Sequence, residues 1–216
     1  MSWLDIAYDV DIWLEIPPRW TIGAVEPWED DDTRTPQEWA TETAELWWDE
    51  SDEDPGDGGV ELLADTLMAC VERYPKMFPG FEVLLHLPSP SSLPLPVFVS
   101  HFPSESEKDC ELRRVTLADG EGAIEKPIVE EFATDSLGKG LRVLRYSVDD
   151  ESNTVISSLR YAWRSEEHGE YVVIITGSPA PTSVLQALDA VDDLAHSIVL
   201  RHNDYVPPTP DEDSAA

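Results

Sequence analysis

Between residues 60 and 201 the apolar spacing switches from helical to strand-like and back, and that switch limits the folds this chain can reach. Val60, Leu63, Ala64, Leu67, Cys70, Val71 and Tyr74 fall at i, i+3, i+4, i+7, i+10, i+11 and i+14, a stripe that an α-helix gathers on one side. Pro75 marks the expected stop, because proline removes a donor and clashes with the preceding turn. Beyond it the apolar runs are short, with Gly, Asp, Asn or Ser between them, as strands require. Residues 81–87 and 95–102 form an expected hairpin around a Ser/Pro-rich turn. Further strands are expected at 110–117, 127–133, 141–148, 154–164 and 171–176. The connections are too short for the crossover of roughly a dozen residues that a parallel pair needs, so neighbours should run antiparallel. A last stripe, Val184, Leu188, Val191, Ala195 and Ile198, places a closing helix over 182–201, with Asp189, Asp192 and Asp193 turned to water.

Upstream, Val10, Ile12, Leu14 and Ile16 alternate with their neighbours and predict a half-buried strand over 9–16, stopped by Pro17-Pro18. Thr35-Pro36-Gln37-Glu38 has the form of a capping box, with Thr at the N-cap, Pro at N1 and Glu at N3. A helix should run from there to about Trp48. Residues 49–59 combine Pro, Gly and like charges and should be a loop. The fold class that results is α+β: an antiparallel sheet of about six to seven strands with helices packed on it and a C-terminal helix. A single domain is expected over 1–201. Residues 202–216, acidic and proline-containing, are expected to be a disordered tail.

Charge decides which partners such a domain can meet. The 216 residues hold 45 acids and 14 Lys or Arg, a formal net charge of −31 with a pI near 4.1. Affinity for nucleic acid comes mostly from neutralised phosphates, and anionic membrane surfaces attract basic segments, so both partners are excluded. The excess is uneven. Residues 1–61 contain 19 acids against 2 bases, and seven of the eight tryptophans precede residue 50. Most of those tryptophans are expected to serve in packing. The acidic runs and their aromatic neighbour, Trp28, Glu29, Asp30, Asp31, Asp32, Asp49, Glu50, Asp52, Glu53, Asp54 and Asp57, form the candidate partner surface. Complementary potentials select partners, so the expected partner is a basic protein.

No motif supplies chemistry. Asp135-Ser136-Leu137-Gly138-Lys139-Gly140 lacks the leading Gly and the Ser/Thr of a phosphate-binding loop and reads as a strand-entry turn. Gly120-Glu121-Gly122 lacks the third glycine of a dinucleotide fingerprint, and no GxSxG elbow occurs. An EF-hand register started at Asp52 places Gly56 at position 5, Asp57 at position 6 and Leu63 at position 12, against the acid, Gly and Glu needed there. No two of His86, His101, His168, His196 and His202 have HExxH spacing, although His86 and His101 lie on adjacent expected strands. Glu166-Glu167-His168-Gly169 reads as a solvated turn. Cys70 falls on an apolar helix face as a core residue, and neither it nor Cys110 belongs to a CxxC pair. No catalytic residue, cofactor site or metal site is expected. The first residues show no basic n-region and no apolar h-region, and no stretch approaches the roughly 18 apolar residues of a membrane span. A cytoplasmic protein is expected.

The element order, with Trp13-Leu14-Glu15-Ile16-Pro17-Pro18-Arg19-Trp20 at one end and Leu159-Arg160-Tyr161-Ala162-Trp163, Tyr171-Val172-Val173-Ile174-Ile175 and the 188–198 helix at the other, resembles the Mog1/PsbP-like fold over residues 9–201. The resemblance implies non-catalytic roles: accessory subunits, adaptors and secretion chaperones. The two-helix insert with its acidic loop departs from the plainest form of that fold. The expected function is therefore a non-enzymatic adaptor or chaperone-like protein that binds a basic surface. The alternative is an acidic inhibitor or immunity protein that blocks the cationic cleft of a toxin or nuclease.

Overall fold

The computed structural model describes residues 2–17, 20, 34–104, 110–150 and 152–202. In chain order its strands are β1 (Ser2–Asp5), β2 (Trp13–Ile16), β3 (Glu82–His86), β4 (Leu95–Pro103), β5 (Ile128–Thr134), β6 (Gly138–Asp149), β7 (Thr154–Ser165), β8 (Glu170–Ser178) and β9 (Val199–His202). Its helices are α1 (Pro36–Asp49), α2 (Gly59–Met77), α3 (Cys110–Val115), α4 (Pro181–Gln186) and α5 (Leu188–Ser197). Seven strands form one antiparallel sheet in the order β2-β3-β4-β8-β7-β6-β5, and β1 pairs with β9 in a separate two-stranded sheet. The α+β class with a C-terminal helix is thus what the chain adopts.

Both faces of the large sheet are covered, which explains why its central strands read as unbroken apolar runs. On one face Trp13, Leu84, Val97, Val99, Leu159, Tyr161, Trp163, Val172 and Ile174 pack against Val184, Val191, Leu194 and Ile198 of α4 and the α5 region. On the other, Ile16, Val83, Leu85 and Phe98 meet Trp39, Ala40, Ala44, Leu63, Leu67, Cys70 and Val71 of α1 and α2. Gly140 is fixed by this packing. A Cβ there would sit 2.4 Å from the Ala162 carbonyl and 2.5 Å from the Trp163 ring, whose Nε1 donates to the Phe132 carbonyl at 3.1 Å.

The α1 capping box forms as its sequence specifies: the Glu38 amide donates to Thr35 Oγ1 at 3.3 Å and the Thr35 amide to Glu38 Oε2 at 2.7 Å. The Thr35 amide, then the Thr35 hydroxyl, which also donates to Glu38 Oε2, hold the Glu38 carboxyl below its ordinary value. Several expectations are corrected. The strand over 9–16 begins only at Trp13, because Asp9 accepts from the amides of Asp11, Ile12 and Trp13 and winds a turn that leaves Val10 exposed. Helix α2 runs through Pro75 to Met77, carried on by the Phe78 amide donating to the Tyr74 carbonyl at 3.1 Å. A proline so near the end disturbs little of the ladder. Residues 110–115 are helical rather than extended: β4 and β6 each already have two neighbours, so no central edge is open to them.

The closing segment also differs. The helix expected over 182–201 is split at Ala187 and stops at Ser197, after which Ile198 turns extended (φ −70°, ψ 130°) and β9 pairs with β1. Asp192 does not face water alone. It pairs with Arg142, which also binds Glu130, and accepts from the Tyr161 hydroxyl. The expected tail lies outside the described residues beyond His202, where β9 ends.

Candidate functional site

The sequence directs attention first to the acidic surface. Trp28, Glu29, Asp30, Asp31 and Asp32 lie outside the described residues. Asp49, Glu50, Asp52, Glu53, Asp54 and Asp57 all lie exposed, at the end of α1 and in the loop that follows. The loop is shaped by its own polar groups: the Glu53 amide donates to Ser51 Oγ, the Gly56 amide to Asp54 Oδ1, and Ser89 Oγ to Glu53 Oε1 at 2.6 Å. That last bond, with Ser91, lowers the Glu53 carboxyl from its ordinary value. Among the described residues none of these six acids is in an ion pair. The tryptophans nearby serve mainly in packing. Trp39 is buried, Trp47 donates Nε1 to the Leu87 carbonyl at 3.2 Å, and Trp48 lies over Gly59. Trp3, by contrast, is 47% exposed.

The histidines do not converge. His86 stands opposite Leu95 and packs on Trp13 with ring centroids 5.0 Å apart. His101 lies six residues further along β4, roughly 20 Å away at strand spacing, where Nδ1 is 2.7 Å from Glu170 Oε2. Among the described residues no three His, Cys, Asp or Glu gather as a metal site.

Sequence reasoning missed a cleft of about 810 Å³ that opens where the helical cover of the sheet is incomplete. α1 and α2 cover β2, β3 and β4, while α3 lies over β6 and β7. Between them, part of β8 and β7 is left without a helix. One wall is α2, with Cys70, Tyr74 and, just past its end, Phe78; the floor is Phe98, Ile175, Ser158 and Ile156. The wall is aromatic: Phe98 lies 4.2 Å from Phe78 and 5.6 Å from Tyr74 between ring centroids. Met77 and Leu93 stand on the rim, 50% and 83% exposed. Burial pushes the Cys70 thiol up to about 11 and the Tyr74 phenol up to about 12. Both stay protonated at neutral pH, so this cysteine is a packing group and no thiolate nucleophile.

Two cations, Arg73 on α2 and Arg160 on β7, break the apolar lining. Arg160 projects from β7 on the same face as Ser158 and Ile156 and donates Nη1 to the Val115 carbonyl at 3.4 Å. Arg145 pairs in register with Ser158, so it is the diagonal neighbour of Arg160 on that face. It is 6% exposed and donates Nη2 to the Glu121 carbonyl at 2.6 Å. The Nε of both Arg145 and Arg160 is buried without a hydrogen-bond partner, and neither of these two forms an ion pair among the described residues. Burial, then the charge of Arg145, draws the Arg160 guanidinium below its ordinary value.

Fold and site together define an α+β domain with a helix-walled, largely apolar cleft over an antiparallel sheet. No protein-family model matches the chain, and no curated protein matches it. Among solved structures it is similar to the crystal structure of LpqN, a Mycobacterium tuberculosis protein involved in cell envelope biogenesis. The identity is 8%, the TM-score 0.45, and the match covers 94% of this chain and 85% of that one. Among the described residues no helix is long and apolar enough to cross a membrane.

Proposed function

We propose that this chain acts in the cytoplasm as a non-enzymatic binding protein, an accessory or chaperone-like factor that seats an elongated apolar group in the cleft between α2 and the central strands. The cleft itself carries this reading. Its volume falls in the range of small-ligand sites, which are concave, mostly apolar and furnished with few polar groups. Large apolar side chains left exposed at its rim mark a contact surface when they cluster. The accessory roles implied by the Mog1/PsbP-like resemblance agree with a site that holds a guest without reacting with it.

The test is a titration with Nile red, an uncharged environment-sensitive dye. The wild-type protein should bind it with a blue-shifted emission. Ile175→Trp, which fills the floor, should weaken binding by about tenfold, equivalent to about 1.4 kcal/mol, with unchanged circular dichroism. Equal binding by a folded I175W protein, or none by wild type, overturns the proposal.

A second reading concerns the acidic face. Asp49, Glu50, Asp52 and Asp54 are exposed with no cationic partner among the described residues, which favours docking of a basic protein surface there. Inhibition of a cationic toxin or nuclease cleft would use the same face.

A further inference from the structure

A chain with 45 acids sets Arg160 in the lining of an apolar cleft, with Arg145 diagonal to it on the same sheet face, and gives neither a carboxylate among the described residues. A buried charge is costly unless it is paired, so Arg145 and Arg160 leave a local excess of positive charge that no carboxylate among the described residues neutralises. The acid that does line the cleft is remote. Asp149 pairs in register with Thr154, six residues along β7 from Arg160, a separation of roughly 20 Å at strand spacing. The cleft is therefore polarised along β7: cationic at Arg160, apolar past Ser158 to Ile156. Extending the β4–β8–β7 register brings the exposed Leu93 to the Ile156 end.

We infer that the cleft takes a single-chain alkyl carboxylate, with its head on Arg160 and its chain along Ile175 and Ile156 toward Leu93. This rests on the binding-cleft reading and adds the charge and direction of the guest. A guanidinium edge suits a carboxylate because two parallel N–H donors meet two oxygens, and Arg145 behind it adds attraction without needing contact. Nothing reacts: the carboxylate binds as the anion, and the alkyl chain leaves water for the aromatic wall and aliphatic floor.

Competition against a bound dansyl-labelled undecanoate, with dodecanoate and dodecanol as equal-length competitors, tests it. Dodecanoate should displace the probe from wild type about tenfold better than dodecanol, as expected for one desolvated charge-assisted contact. In Arg160→Gln that preference should fall to about twofold or less, while dodecanol competes as before. Ser158→Asp, which sets a carboxylate beside both arginines, should remove the preference even if R160Q folds poorly. Lys139→Gln, exposed on β6 and outside the cleft, should leave it intact.

Equal competition by dodecanoate and dodecanol on wild type overturns the anionic head and leaves the cleft reading standing. So does a preference that survives in both folded R160Q and S158D. Failure of wild type to bind the probe or either competitor overturns the cleft reading, and this inference with it.

Discussion

Glu82 lies on β3 one diagonal step from Glu15, which is held opposite Leu84 and accepts from the Tyr8 hydroxyl at 2.9 Å. Burial, then the Glu15 charge, pushes the Glu82 carboxyl up to about 7 from an ordinary 4.5. The fold thus favours the neutral acid. Between those two values the folded chain keeps a proton that the unfolded chain has lost, so stability falls as pH rises from about 4.5 to about 7 and is flat above. Glu82→Gln removes the titration. At pH 8 the variant should be more stable than wild type by about 1–3 kcal/mol, less than the full shift because the site is partly solvated. Near pH 4.5 the advantage should vanish. Urea unfolding at both pH values measures the difference, and an equal difference at the two would exclude Glu82 as the titrating group.

At the scale of the element, Thr35 sets where α1 begins. Thr35→Ala removes the acceptor for the Glu38 amide and should cost about 0.5–2 kcal/mol in urea unfolding. Thr35→Ser should restore most of it, and a loss unaltered by serine would assign the effect to packing instead. This cap was legible because all its partners lie within four residues. The stripe of α2 and the hairpin of β3 and β4 were legible from their repeating spacing, one helical and one broken by a Ser/Pro-rich turn, within a short stretch of chain. Other elements depend on distant chain. β9 exists because β1 stands beside it, Arg201 of β9 meeting Asp5 of β1 with Nη2 2.9 Å from Oδ2; helical spacing up to Ile198 gave no hint of that strand. α3 lost its strand character to a sheet whose inner edges were already taken. The cleft was hidden more deeply. In a sheet covered on both faces, alternation does not say which side of β7 is crowded and which is open, so Arg160 could not be told from a surface arginine. The one available signal was that Arg160 sits inside an otherwise apolar and aromatic run, Leu159 to Trp163.

Across the whole molecule, the net charge of −31 acts on stability through its placement. Like charges crowded at the end of α1 and in the following loop repel over a distance set by salt, about 10 Å at 0.1 M and about 3 Å at 1 M. Asp49, Glu50, Asp52 and Asp54 fall within six consecutive residues, and no described base is ion-paired with them. Neutralising the four together (D49N/E50Q/D52N/D54N) should raise the thermal midpoint by about 2–4 °C at low ionic strength, the shift that 1 kcal/mol gives in a chain of this size. The gap should close in 1 M salt. Neutralising four acids spread elsewhere, Glu121, Glu125, Glu166 and Glu167, should do less. A basic protein surface would supply the same relief, so the first variant should also lose salt-sensitive binding to a cationic partner that the second retains. If both variants shift the midpoint equally, the repulsion is a property of total charge, and the acidic face has no special standing as a docking surface.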